Sequence, residues 1–330
     1  MTAITDLLSR VSLGPARTHR ALGAFPVLLS PAPEADQTPL YLVLDEALAT
    51  GRFRVTEISD AGSVPQLRAL NDLDRAVFLL DGEELVGAKQ NRVLNLSLLV
   101  AAGSKTDIPV SCVEAGRWHR MSDDFAAAPR TQFAEGRARK MASVSMSLRA
   151  SGEARSDQGE VWDTISAKSM RMRISSETSA MSEMFEQSRP ALGDYLSGMG
   201  EALPDQIGAV YTIGGRIAGL DLFDSPATWS RLAPKLHSSY ALDAMEGEGK
   251  QAALPGEDAV RAFLADVAAA GAERFPTTGL GQTLRLEASG LTGAALEVDG
   301  RCIHLAAFPA PAADSPLPRM TRGSLRARRH

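Results

Sequence analysis

The stretch Leu79-Leu80-Asp81-Gly82-Glu83-Glu84-Leu85-Val86-Gly87-Ala88-Lys89-Gln90-Asn91-Arg92 crowds carboxylates, amides and bases into a few turns of chain. Carboxylates accept hydrogen bonds, Lys89 and Arg92 donate them, and Gln90 and Asn91 do both. That mixture suits a polar, phosphate-bearing ligand with sugar hydroxyls. Glu83 and Glu84 are the first candidates for catalysis. Cleaving an N- or O-glycosidic bond to ribose builds oxocarbenium-like charge at the anomeric carbon. A carboxylate can stabilise that charge, act as nucleophile, or activate water. Adjacent strand residues face opposite ways, so at most one of the pair enters a common pocket unless the turn runs past Gly82. Glu83, straight after Gly82, is slightly preferred. Glu114, near the end of a later strand, could supply the second carboxylate. The same acids could instead hold Mg²⁺, which takes oxygen ligands and bridges protein to phosphate. They could also simply solvate a turn.

Lys89, Arg92 and Arg117 are natural partners for a pyrophosphate, Arg with a planar fork and Lys with a compact charge. Internal salt bridges to Glu83, Glu84 or Glu114 are the rival reading, because the opposing charges lie so near in sequence. Asp81, Gln90, Asn91 and Asn95 could bind ribose hydroxyls or base edges. The amides could equally satisfy backbone groups at a bulge after Gly87. Trp118 could stack on adenine or nicotinamide, or sit at the rim of a core. Cys112 lies inside an apolar run, which favours an inert thiol. His119, His237 and His304 show no metal-ligand spacing with either cysteine, so no zinc site is expected. Gly208, Gly214 and Gly215 do not make a dinucleotide fingerprint, and no P-loop or G-x-S-x-G is present.

These residues need elements to hold them. The first third reads as short strands at Leu40–Leu44, Arg52–Ile58, Val64–Leu70, Ala76–Leu80, Val93–Val100 and Ile108–Val113, separated by turn residues such as Asp60-Ala61-Gly62 and Ala102-Gly103-Ser104. Asp81-Gly82 suits a two-residue hairpin loop with φ > 0 at both positions. From Met121 to Gly200 the chain becomes rich in Ser, Ala and Met, with a helical period through Val161, Ile165, Met181, Met184 and Phe185. Ser151–Gly159 reads as a connector. Further helices are expected at Pro226–Tyr240, extending toward Met245, and at Gly256–Ala270. Gly208–Arg216 closely resembles Gly293–Arg301, with Phe223 and Phe308 at matching offsets, as a duplicated hairpin would produce. The expected architecture is α+β: a mostly antiparallel sheet built from hairpins, with middle and C-terminal helices packed on it. It occupies residues 1–308 as one domain, β-rich over 13–118, helical over 121–205 and mixed over 206–308. Residues 309–330, Pro-rich and then Arg-rich, read as a disordered basic tail.

The Asp81–Arg92 block and Ile108-Pro109-Val110-Ser111-Cys112-Val113-Glu114-Ala115-Gly116-Arg117-Trp118 together resemble the "ARG and rhodanese-phosphatase-superfamily-associated protein" domain, where ARG stands for ADP-ribosylglycohydrolase. The resemblance continues through Val161-Trp162 and Lys235–Ala244, covering the chain from about Leu13 to Phe308. It implies an association with ADP-ribose and NAD-derivative metabolism, and with enzymes that process ADP-ribosyl groups. It assigns no catalytic residue.

Composition narrows the classes further. With 330 residues, 44% hydrophobic and 23% charged, most of the chain can fold around a substantial core. A net charge of −5 argues against a general nucleic-acid binder. No apolar run approaches a membrane span, and no signal-peptide pattern opens the chain. Cys112 and Cys302, the only cysteines, fit a reducing cytoplasm. The expectation is a cytoplasmic protein that binds ADP-ribose or a related NAD-derived nucleotide and could hydrolyse or transfer its glycosidic linkage. The alternative is a non-catalytic reader or adaptor of such ligands. A purely structural ion network is the third possibility.

Overall fold

The computed structural model describes residues 2–31, 39–59, 65–117, 122–247 and 253–310. The tail from 311 onward and Trp118 lie outside the described residues.

The larger sheet is antiparallel throughout. Its strands run in the order Val11–Leu13, Leu22–Leu29, Gln206–Ile213, Arg216–Phe223, Arg301–Pro309, Leu291–Val298, Gln282–Ala288 and Gly271–Pro276, with Arg17–His19 also paired to Leu22–Leu29. Two of its hairpins turn through Gly214-Gly215 and Asp299-Gly300, whose φ values are +57° and +80°, and +49° and +74°. Positive φ at both central residues matches the right-handed twist of the flanking strands, and Gly and Asp tolerate it. These hairpins are the two similar segments. Both carry a register shift at the corresponding place, after Tyr211 and after Leu296. Where they meet, Asp221 faces Ala306, Leu220 faces Ala307 and Leu222 faces Leu305. Exchanging each residue for its counterpart maps these pairs onto one another, so the hairpins are related by a local two-fold axis.

Strand alternation gives this sheet two apolar faces. Phe25, Val27, Val210, Leu220 and Leu284 meet the helices Ala3–Ser9 and Glu257–Ala269. On the other face, Ala209, Tyr211, Phe223 and Phe308 meet Ala134–Ser151, Arg189–Met199 and Pro226–Ala244, through Met141, Tyr195, Trp229 and Leu236.

The first three strands having joined the larger sheet, the strands from Tyr41 to Thr131 form a second body. Six strands run in the order Phe125–Thr131, Glu83–Gly87, Arg92–Leu94, Ser104–Cys112, Gln66–Asn71 and Phe53–Glu57. The two edges meet again through a Thr56–Asp124 bridge, so the sheet closes into a small barrel. Phe53, Val55, Leu67, Leu85, Leu94, Ile108 and Phe125 fill it. A three-stranded sheet, Leu98–Val100, Ala76–Leu79 and Tyr41–Val43, includes one parallel pair, and the helix Leu44–Ala49 follows directly.

Several local expectations change. Asp81-Gly82 does not close a hairpin, because Ala76–Leu79 and Glu83–Gly87 pair with different neighbours in different sheets. Only Gly82 has positive φ there, at +82°. Val93–Val100 is two strands, interrupted by a bend at Asn95–Ser97, and Leu44 starts a helix instead of ending a strand. The stretch expected to be helical begins with the strand Phe125–Thr131 and only then becomes the helices Ala134–Ser151 and Gln158–Met172. A short Ala-rich run with no helical period gave no warning of a strand, because its place is set by pairing with Glu83–Gly87. The C-terminal helices run over Pro226–Ala244 and Glu257–Ala269, close to their expected limits.

Candidate functional site

The Asp81–Gly82 turn is fixed from several sides. Glu83 N–H donates to Leu80 O at 3.0 Å, Gly82 N–H to Leu94 O at 3.0 Å, and Gln132 N–H to Gly82 O at 2.7 Å. A Cβ on Gly82 would come within 3.0 Å of Arg137 Cγ. Glycine is therefore favoured by its φ, and a Cβ there would press on the buried Arg137 side chain. Beyond the turn, Glu83 and Glu84 enter a strand flanked on both sides and leave it toward opposite faces.

Glu83 faces the helix Pro226–Ala244. Its carboxylate accepts Leu80 N–H at 2.9 Å and Lys235 Nζ at 2.7 Å, and Lys235 also binds Asp45. Glu83 is 1% exposed. The two neighbouring carboxylates hold the Lys235 pKa above its ordinary value, outweighing burial, so the ammonium stays charged.

Glu84 and Glu114 share the other face. Glu84 is fully buried; it binds Arg130 and accepts Asn91 Nδ2 at 3.4 Å. Glu114 accepts Asn91 N–H at 3.2 Å, Arg117 Nε at 2.8 Å and the Thr178 hydroxyl at 3.1 Å. Arg117 also reaches Ala88 O and Asn91 Oδ1, both at 3.0 Å. Arg130 continues to Glu186 at 2.9 Å. Gln90 donates to Glu114 O at 3.0 Å and accepts from Arg92 at 2.8 Å and from Cys112 Sγ at 3.0 Å. The two carboxyls differ in charge preference. Burial pushes the Glu84 pKa up despite Arg130, whereas hydrogen bonds from Arg117 and Asn91 overcome burial and pull Glu114 down. Burial lowers the Arg92 pKa and raises that of Cys112.

Asp81 belongs to a third cluster. It binds Lys140 Nζ at 2.5 Å, and its backbone N–H donates to Ser97 Oγ at 2.9 Å. Arg137, one helical turn from Lys140, forks onto Asp221 at 2.6 and 3.0 Å. Asp221 also accepts the Tyr240 hydroxyl at 2.9 Å and lies 3.3 Å from His304 Nε2, while His304 Nδ1 meets Ser97 Oγ at 2.9 Å. An ionised Asp221 can only accept, so the ring proton sits on His304 Nε2, and in the neutral ring Nδ1 then accepts the Ser97 proton.

The expected site residues thus divide among three buried clusters. Asn95 joins none of them: it accepts the Ser111 hydroxyl at 2.6 Å and donates to Ala154 O at 3.0 Å, fastening the connector between helices. Lys89 is half-buried. Arg130, Arg137, Lys140, Asp221, Lys235 and His304 escaped sequence reasoning as site members. A lone acid inside the apolar run Gly219–Phe223, and two cations at helical spacing among buried Ala and Met, were the available signals. Among the described residues, no group of three His, Cys, Asp or Glu side chains could hold a metal ion. A cleft of about 450 Å³ opens at the barrel rim between Leu48, Phe53, Arg54, Asp124 and Phe125. Asp45 in its wall connects through Lys235 to Glu83.

An α+β protein with mostly antiparallel sheets and a buried, glutamate-rich ion network is the class that this geometry defines. The chain belongs to the ARG and Rhodanese-Phosphatase-superfamily-associated Protein domain family, whose model matches residues 10–308. No curated protein and no solved structure matches it. The family description associates it with ADP-ribosylglycohydrolase-type and rhodanese-type proteins. Among the described residues, no helix is long and apolar enough to cross a membrane.

Proposed function

We propose that this protein is a non-catalytic cytoplasmic partner of ADP-ribosyl-processing enzymes that binds ADP-ribose or a related NAD-derived nucleotide. The observation that carries the non-catalytic reading is the state of the three glutamates. Glu83, Glu84 and Glu114 are 1%, 0% and 7% exposed, and each is held by a buried cation. Glycoside cleavage needs carboxylates that reach the anomeric carbon and a water. These are committed to Lys235, Arg130 and Arg117 instead. The nucleotide takes the rim cleft, whose volume lies within the range of about 300–1,000 Å³ typical of small-molecule sites. There Arg54 meets phosphate, and Asp45 and Asp124 meet ribose hydroxyls. Calorimetric titration with ADP-ribose, NAD and nicotinamide mononucleotide, with product analysis of the same samples, tests this. Saturable heat without cleavage is expected, weakened by about 1.5–3 kcal/mol in Arg54→Ala. Absence of heat with all three ligands at millimolar concentration removes the nucleotide from the proposal.

One observation favours hydrolysis or transfer as a second reading. Glu84 and Glu114, linked through Asn91, have pKa values displaced in opposite directions. A carboxyl biased toward its protonated form beside one biased toward its ionised form is the asymmetry from which acid–base pairs are built. Under this reading, ADP-ribosyl compounds are cleaved, and Glu84→Gln or Glu114→Gln lowers turnover by about 10²–10⁴.

A further inference from the structure

The large sheet and the bend at Asn95–Ser97 enclose a small cavity lined by Asp81, Ser97, Met141, Thr283, Arg285 and His304. Its room for the centre of a water-sized sphere is about 10 Å³, enough for one water molecule or one ion of similar size. Arg285, from the strand Gln282–Ala288, is 1% exposed, and its Nε and one Nη have no hydrogen-bond partner within the protein. Those two nitrogens form the forked edge with which a guanidinium holds an anion. Burial pulls the Arg285 pKa down to about 10, so the group remains charged at neutral pH.

The surrounding charges do not cancel. Arg137 and Lys140 are paired with Asp221 and Asp81, which leaves the Arg285 charge over. Asp81 carries Lys140 on Oδ1 at 2.5 Å, while its Oδ2, with Arg137 Nε at 3.8 Å, has no hydrogen-bond partner. The wall therefore holds one carboxylate oxygen as well as the fork, and an anion would have to sit on the Arg285 side of the cavity. The Ser97 hydroxyl is engaged by Asp81 N–H and His304, and Thr283 adds another hydroxyl to the wall. An unpaired charge in such an interior costs several kcal/mol until something neutralises it.

We propose that this cavity is a binding site for a single halide-sized anion, held on the Arg285 fork. Its size excludes a phosphate or a nucleotide, so the site is independent of the rim cleft. The anion ties the strand Gln282–Ala288 to the Asp81–Ser97 segment and thereby couples the large sheet to the barrel. A ligand that binds only the folded state raises its melting temperature by mass action.

The test is thermal unfolding of the full chain in potassium chloride against potassium gluconate at matched ionic strength. Gluconate is too large for the cavity. The expected result is a saturable chloride-dependent rise of about 2–5 °C, with bromide substituting for chloride. Arg285→Met should melt identically in both salts. Because that variant could fail to fold, a bromide-soaked crystal of the wild type provides the second measurement. Anomalous density against Arg285 Nε supports the site. Superimposable wild-type melts in the two salts, or a water with no anomalous signal at that position, overturns it.

Discussion

Glu84 and Glu114 share Asn91 yet sit in opposite electrostatic surroundings, so replacing each by glutamine should give opposite results. Glu114→Gln turns one acceptor oxygen into a donor facing Arg117 Nε and Nη2, which stand at 2.8 and 2.7 Å from Oε2. Charge-assisted hydrogen bonds of this kind contribute about 1.5–3 kcal/mol each. Arg117 keeps Ala88 O and Asn91 Oδ1, which limits the damage. The expected loss is about 3 kcal/mol, or about 4–5 °C in melting temperature. Glu84→Gln removes a charge whose burial already outweighs its attraction to Arg130. Arg130 still has Glu186, so no cation is stranded. Stability should stay within about 1 kcal/mol of wild type. The pH dependence separates them again. Glu114, held below the ordinary value of 4.5, contributes fully above that pH and loses its contribution as pH falls through its folded value. Wild type and Glu114→Gln therefore converge in acid. Glu84, held above 4.5, loses its contribution as pH rises through its folded value, so Glu84→Gln improves relative to wild type toward neutrality. Urea unfolding followed by circular dichroism across this range measures both. A Glu84→Gln loss equal to or larger than that of Glu114→Gln at neutral pH would refute the electrostatic assignment.

Three further outcomes are expected. Lys235→Met leaves Glu83 buried without its cation and should cost about 3–5 kcal/mol in thermal or urea unfolding, most of it restored by adding Glu83→Gln; failure of the second change to rescue the first would mean that Lys235 acts through packing. Burial, with a smaller push from Arg17, lowers His237 from 6.5 to about 4, so its stabilising contribution is complete above 6.5 and lost as pH falls toward 4. The wild type should lose about 3 kcal/mol over that interval, and His237→Gln should lack this dependence. Finally, we propose that residues 1–308 unfold as one domain, because one apolar cluster contains Phe78 and Val93 from the barrel side together with Tyr211 and Phe308 from the large sheet; tryptophan fluorescence and far-ultraviolet dichroism should give coincident curves, and two separated transitions would divide the domain.

Much of the local architecture was readable from residue types. Gly-Gly and Asp-Gly turns marked the two similar hairpins because few other pairs accept positive φ twice in succession. The helix expected at Pro226–Tyr240 runs over Pro226–Ala244, and the Ser225 side chain caps it by accepting Ala227 N–H. Asp81-Gly82 carried the same signal and was misleading, since its flanking strands find their partners elsewhere. A turn sequence constrains its own dihedrals, not the identity of the strands that pair beside it.

The sequence by itself determined the α+β class, the family, and the concentration of charge in Asp81–Arg92 and Glu114–Arg117. It could not determine whether those charges face a ligand or one another, because that depends on cations supplied from distant segments. Lys235 reaches Glu83 across 152 residues, Lys140 reaches Asp81 across 59, and Arg130 reaches Glu84 across 46. Only chain folding brings these partners together, and only burial makes their pairing compulsory, since an isolated charge in the interior costs far more than the same charge in water. The Arg285 cavity belongs to the same category: its arginine, serine and histidine come from three separate strands or bends, and no spacing along the chain announces them.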